Sequence, residues 1–205
     1  SKIEGAFMKI EFLSSDNKWR VTDRKGVKYY FGQTNSSREF DPNNNAHVFK
    51  WALDKVEDVL GNYMMISYGR DQEILYIEHI YYTFHPQLNN SFARIDFLYE
   101  NRPDGRRGFW RGYGAGMLKR LKEIQVFAMD QFQRKYVFDY ILSPLTGRSL
   151  LSSVTQYGAD GQTFLPPTTF QYQTAGAENY TVLDINGQNF SGDNLWNYRY
   201  CGGYD

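Results

Sequence analysis

The side chains from which this chain could build chemistry are few, and their spacing gives little support to any of them. The histidines are His47, His79 and His85, the last two six apart with Glu78 beside the first. A metal site needs converging ligands held by supporting hydrogen bonds. A strand through 76–84 would send His79 and Glu78 to opposite faces, so the pair reads as structural. Asp184, Asn186 and Asp193 stand close to Gly187 and Gly192, and carboxylate and amide oxygens beside glycine turns are the groups that wrap calcium. The spacing and closing Glu of an EF-hand loop are absent, which leaves these three a weak calcium candidate and an Asx-rich turn the simpler reading. No Gly-x-Ser-x-Gly elbow is present, and the single cysteine, Cys201, has no marked partner. Gly112-Tyr113-Gly114-Ala115-Gly116 lacks the Lys-Ser/Thr of a P-loop; with Arg106, Arg107 and Arg111 nearby it reads as a mobile basic connection. The expectation is no catalytic residue, no cofactor and no enzyme.

Aromatic content suggests a different use. The chain holds 17 Tyr, 15 Phe and 4 Trp among 205 residues, and such rings fit a pleated, half-buried surface. Trp110, Trp196, Tyr198 and Tyr200 stand apart from the repeated pattern described next, and form a candidate surface for a carbohydrate, a host receptor or a neighbouring domain. Lys plus Arg equals Asp plus Glu at 23 each, so no global field draws the chain to nucleic acid or an anionic membrane. No apolar run is long enough to span a bilayer and no signal peptide is legible. The aromatic ending Tyr200-Cys201-Gly202-Gly203-Tyr204-Asp205 reads as unfinished, so a fragment is expected, with any export signal elsewhere in its parent.

The elements that must position these residues read as strands. Phe7–Phe12, Lys18–Thr22 and Val27–Phe31 alternate briefly, and Asp23-Arg24-Lys25-Gly26 supplies a tight turn between the last two. Residues 35–45, rich in Asn and Ser, read as an exposed loop. Beyond them a pattern recurs: two aliphatics three apart, then an apolar anchor followed two residues later by Tyr. The leading pairs are Leu53/Val56, Ile77/Ile80, Leu121/Ile124 and Leu151/Val154; the trailing pairs are Ile66/Tyr68, Phe97/Tyr99, Phe138/Tyr140 and Phe170/Tyr172. The intervals suit four successive hairpins. Anchor and Tyr should share one face, with Ser67, Leu98, Asp139 and Gln171 on the other, Ser67 and Gln171 open to solvent. Leading residues three apart fall on opposite faces of a regular strand, so either a bulge or two-sided burial is required. Met117, Leu118, Leu121, Ile124 and Phe127 also match a helical stripe, making 117–129 the place where one short helix competes with a strand.

Several phrases, in one order, resemble the distal part of the SpvB-type virulence-plasmid domain shared with the B components of insecticidal toxin complexes. They are Glu4–Ile10, Trp19–Thr22 with Gly26, Tyr30-Phe31-Gly32, Trp51-Ala52-Leu53, Asp58–Tyr63, Arg102-Pro103-Asp104, Lys119–Ile124 and Gly147–Leu151. The resemblance covers roughly residues 4–175. It implies hairpin sheets like those of Rhs or YD-repeat proteins, which wind into a hollow shell, with catalysis carried by a separate effector such as an ADP-ribosyltransferase. The Glu-x-Glu signature of that effector does not occur here.

The resulting expectation is an all-β fold of antiparallel hairpins in a twisted, curved sheet: an N-terminal hairpin segment over 1–50, a repeat region over 51–175 and a tail or linker over 176–205, together one structural unit. Its function would be that of a non-catalytic scaffold in a secreted or surface-delivered toxin, partnered by other domains of its parent and by toxin-complex subunits. A carbohydrate- or receptor-binding β-module is the alternative.

Overall fold

The computed structural model describes residues 7–87, 93–109 and 112–172, and the backbone of 182–183 and 189–190. The chain divides into Ser1–Phe170 and Gln171–Asp205. The first unit carries β1 (Lys9–Leu13), β2 (Lys18–Thr22), β3 (Lys28–Phe31), β4 (Arg38–Asp41), β5 (Asn44–Trp51), β6 (Leu53–Glu57), β7 (Tyr63–Asp71), β8 (Ile74–Phe84), β9 (Ala93–Gly108), β10 (Ala115–Ala128), β11 (Gln131–Leu142), β12 (Ser149–Tyr157) and β13 (Thr168–Thr169). All but β4 and β5 join one antiparallel sheet in the order β1-β2-β3-β6-β7-β8-β9-β10-β11-β12-β13; β4 and β5 pair separately. The all-β antiparallel fold is therefore as the periodicity requires. In the second unit β14 (Val182–Leu183) pairs antiparallel with β15 (Asn189–Phe190).

Turn chemistry sets the connections. The Asp23 carboxylate accepts the N–H groups of Lys25 and Val27 at 2.8 and 3.0 Å, while Gly26 takes the positive φ of 83° that closes the β2–β3 turn. Asp58 repeats the device before β7, accepting from Leu60 and Asn62. The β10–β11 turn, poorly marked in the sequence, is made by Met129 and Asp130 at φ of 49° and 58°, the two left-handed residues of a tight hairpin turn.

One alternative is decided here and one expectation is corrected. Residues 117–128 lie in strand β10, Met129 begins the turn after it, and no α-helix occurs among the described residues. The helical spacing has a strand explanation: Leu98 pairs with Glu123 but Tyr99 with Leu121, so Lys122 is a bulge residue and Leu121 and Ile124, three apart, return to one face. Residues 35–45 are not simply an exposed loop. They form a 3-10 turn (Asn35–Ser37), β4 and the start of β5, and Ser37 and Glu39 are each only 1% exposed. Their burial is compensated by polar partners: Ser37 Oγ donates to Asp54 Oδ2 at 2.6 Å, and Glu39 Oε1 accepts the Leu75 N–H at 3.1 Å.

Candidate functional site

One apolar face can be followed through registered partners across most of the large sheet. Phe12 faces Trp19, Trp19 faces Phe31, and Phe31 faces Leu53. Val56 faces Met64, Ile66 faces Ile80, and Ile80 faces Ile95. Phe97 faces Ile124, Ile124 faces Tyr136, and Phe138 faces Val154. Cross-strand aromatic and aliphatic pairs of this kind are the unit of sheet stability. The opposite face carries matched charges: Arg20 to Glu11 at 3.1 Å, Lys28 to Glu57 at 3.8 Å and Lys135 to Glu123 at 3.7 Å between strands, and Arg94 to Asp96 at 2.8 Å within β9.

The leading pairs acquire a common geometry from bulges. Tyr30 pairs with Lys55 and Phe31 with Leu53, leaving Asp54 as the extra residue. Ser67 pairs with His79 and Tyr68 with Ile77, leaving Glu78. Lys122 and Ser152 hold the same position in β10 and β12. Each bulge brings two aliphatics three apart onto one face, which chooses between the two alternatives open in the sequence. The first bulge also shows that Tyr29 and Phe31 act as a trailing pair one strand before the legible repeat. Sequence inspection misses them because the order of ring types is reversed.

The trailing tyrosines brace the hairpin bases. Pairing of β6 with β7 ends at Lys55 and Met65, and that of β8 with β9 at His79 and Asp96. Pairing of β10 with β11 ends at Glu123 and Val137. Three residues past each end a Tyr hydroxyl donates to the carbonyl of the first leading aliphatic: Tyr68 to Leu53 at 2.6 Å, Tyr99 to Ile77 at 2.9 Å and Tyr140 to Leu121 at 2.6 Å. The side-chain bond takes over where the ladder stops, satisfying a carbonyl beside the bulge. Burial raises the pKa of all three phenols. Tyr68 is pushed up to about 12 by burial and then by the nearby Asp54 carboxylate, so each remains a donor at neutral pH.

Ile66, Phe97 and Phe138 are half-buried with their tyrosines, while Leu98 and Asp139 on the other face are exposed. The fourth repeat keeps the register but is more open: the Phe170 N–H donates to Ser152 O, beside the bulge as Phe138 lies beside Lys122, while β13 has two residues and Phe170 and Tyr172 beyond it are 40% and 43% exposed. Ser67, expected in solvent, is half-buried with Oγ shielded and unpaired in the structure. Its short side chain lies low on a face of long ones, opposite His79. Gln171 is exposed.

The polar residues singled out by the sequence do not converge on one centre. His79 Nδ1 lies 2.7 Å from Asp96 Oδ1, which also accepts from Arg94. His85 accepts the Gln87 N–H, and His47 contacts Asn44. The glycine-rich stretch is not a mobile connection: Tyr113 and Ala115 are buried with Ile74, and the Gly116 N–H donates to Gln72 O at 2.8 Å. Asp184, Asn186, Asp193, Trp110, Trp196, Tyr198, Tyr200 and Cys201 lie outside the described residues.

A polar clasp that sequence reasoning missed joins β9 to β12, with two strands between them in the sheet. Asp104, 5% exposed at its side chain, accepts from Arg102 Nη2 at 2.8 Å and from the Ser149 N–H at 3.0 Å. Arg120 links the Ser149 hydroxyl to Glu100. Hydrogen bonding from Arg102, reinforced by Ser149, holds the Asp104 carboxyl well below the usual carboxylate range. Only the Arg-Pro-Asp phrase pointed there, and without its partners.

This geometry defines a class: a single antiparallel sheet of bulged hairpins with one apolar and one charged face. Residues 1–79 match the family model described as Salmonella virulence plasmid 65kDa B protein, SpvB, which bears out the resemblance seen in the sequence. The chain is similar in structure to the N-terminal domain of effector protein SpvB from Salmonella typhimurium strain LT2, at 15% identity and a TM-score of 0.66, covering 77% of this chain and 67% of that one. It is also similar to a TcdB2-TccC3-Cdc42 structure, at 14% identity and a TM-score of 0.69, covering 85% of this chain and 11% of the other. For a Photorhabdus luminescens Tc holotoxin pore the values are 14%, 0.69, 84% and 11%. The chain thus spans about a ninth of those two Tc chains. No curated protein matches it by sequence.

Proposed function

We propose that the chain is a non-catalytic scaffold segment of a toxin-type protein, supplying part of a β-sheet shell of the Rhs kind. The observation that carries this reading is the imbalance of burial. Among the described residues four apolar side chains, Ala52, Ile74, Tyr113 and Ala115, are buried, while nineteen large apolar ones are exposed. Monomeric proteins rarely leave so much apolar surface uncovered. A wall segment does so because neighbouring parts of a larger protein cover it. The partners are then other domains of the parent polypeptide and toxin-complex subunits, in a protein delivered outside the cell that makes it. None of the described helical residues forms a helix long and apolar enough to cross a membrane.

Removing the β8–β9 hairpin in frame tests the reading. A scaffold whose strands support one another loses the cooperative unfolding of the whole sheet, seen as a broadened denaturant transition. An unchanged transition together with specific glycan-array binding would favour the carbohydrate-binding module instead.

A further inference from the structure

The large sheet ends on two strands, β1 and β13, and only one of these edges is guarded. An unpaired strand edge recruits further strands unless it is short, bulged or interrupted by proline. β13 has two residues and follows Pro166 and Pro167 directly. β1 has five residues and no proline, its register with β2 is unbroken, and no described strand pairs with its outer side. Ile10 and Phe12, on the apolar face, are exposed there. We propose that β1 pairs antiparallel with β1 of a second copy of this chain, joining two sheets edge to edge about a two-fold axis at Ile10. A scaffold segment need not associate with itself, so this goes beyond the function proposed above.

Self-complementarity selects both the partner and the register. A two-fold axis perpendicular to the sheet keeps both apolar faces on one side and sets residues equally distant from the axis opposite each other. Centred on Ile10, it brings Lys9 opposite the partner's Glu11 and Glu11 opposite the partner's Lys9, while Ile10 meets the partner's Ile10 and Phe12 meets the partner's Met8. Met8 is exposed. Centred on Glu11, two carboxylates would face each other; centred on Lys9, two ammonium groups would. A centre between residues would set apolar side chains against charged ones. Ile10 is thus the centre that pairs each charge of the strand with its opposite. Lys9 Nζ lies 2.9 Å from Glu11 of its own strand, and Arg20 holds the same carboxylate from β2 at 3.1 Å. A swap of Lys9 to the partner's Glu11 therefore leaves an opposite charge beside every ammonium. Five residues a side make a small interface, so the dimer belongs to the weak, reversible class.

The test is sedimentation equilibrium of the full chain over about a hundredfold range of concentration, with amide hydrogen exchange on the same samples. A monomer–dimer equilibrium is expected, with exchange in β1 slowing as concentration rises while that in β9–β11 stays constant. Lys9→Glu leaves the edge with two acidic residues and Glu11→Lys leaves it with two basic ones, so each alone should weaken association at least about tenfold. Mixed in equal amounts, the two variants should associate again, because every facing pair is once more of opposite charge. Ile10→Lys changes an exposed position, sets two ammonium groups face to face at the axis and keeps the Arg20–Glu11 contact. It should abolish association with the circular dichroism spectrum unchanged, and it decides the matter where Glu11→Lys fails to fold. A monomer at every concentration, undiminished association of Lys9→Glu or Ile10→Lys, or a mixture of folded charge variants that stays monomeric would each overturn the proposal. Association through another surface would appear as the second of these outcomes, and an edge reserved for a different polypeptide as the first.

Discussion

The β8–β9 hairpin and the β4–β5 hairpin are both antiparallel pairs, yet they are fastened in opposite ways. In the first, Ile80 faces Ile95 and the Tyr99 hydroxyl closes the base on Ile77 O; every group has a counterpart one repeat away. In the second, attachment rests on polar residues drawn from separate elements. Ser37 and the Gln33 N–H both donate to Asp54 Oδ2, and Glu39 receives the Leu75 N–H. The repeat can continue strand by strand because its contacts are local and identical in kind. The polar attachment occurs once, and fixes where the small hairpin lies against its own unit.

The comparison is tested first at Phe97, where the largest effect is expected. Phe97→Ala removes a half-buried ring paired with Ile124 and should cost about 2–4 kcal/mol in a denaturant titration, somewhat less than for a fully buried ring. A cost below about 1 kcal/mol would mean that the apolar face contributes little in the isolated chain. Next comes Asp104→Asn, which weakens charge-assisted bonds to Arg102 and Ser149 and should cost about 1.5–3 kcal/mol near neutral pH. Because the folded carboxyl lies below the ordinary value of 3.8, its stabilisation is complete above that value and is lost as pH falls through the lower folded one. The difference between wild type and variant should therefore shrink on acidification below about pH 4, a trend that Phe97→Ala should not show.

The polar attachment should respond differently from the repeat. Ser37→Ala takes one donor from the buried Asp54 carboxylate, which is 5% exposed, and should cost about 1–2 kcal/mol. Amide exchange should accelerate in β4 and β5 before it does in β9–β11. Uniform acceleration would show that the small hairpin is not a separable attachment. Tyr99→Phe keeps the ring but leaves Ile77 O without its donor; about 0.5–1.5 kcal/mol is expected. If the brace is a repeated device, Tyr68→Phe and Tyr140→Phe should fall within that range as well.

The same contrast explains what could be read from the sequence. Leu53/Val56 through Phe138/Tyr140 announced themselves because apolar spacing along one strand is a local signal, and the resemblance to the SpvB-type domain rested on local phrases. The bulges at Asp54, Glu78, Lys122 and Ser152 were only half legible. Spacing of three required them or two-sided burial, and the cross-strand register decides. Ser37 and Glu39 were misread as loop because polar type predicts exposure unless a partner is known. Their partners Asp54 and Leu75 lie 17 and 36 residues away.

The smallest effect, and the sharpest test of register, belongs to Asp139. It lies between the anchor Phe138 and the bracing Tyr140, so alternation sends it to the charged face, where Lys122 Nζ approaches Oδ1 at 3.1 Å and Ser153 Oγ donates to Oδ2 at 3.1 Å. Its side chain is 52% exposed and that of Lys122 39%, so the pair is screened by water and holds two flexible groups for little net gain. Asp139→Asn keeps an acceptor for the Ser153 hydroxyl, and the change in stability should stay within about 0.5 kcal/mol. The neighbouring Tyr140→Phe, one residue along the same strand, should cost more although it removes a single oxygen atom. That order follows from the faces alone: Tyr140 satisfies a backbone carbonyl at a hairpin base, whereas Asp139 meets solvent. A cost at Asp139 exceeding that at Tyr140, measured under identical conditions, would reverse the assignment of faces in β11 and, through the registered partners, in β10 and β12.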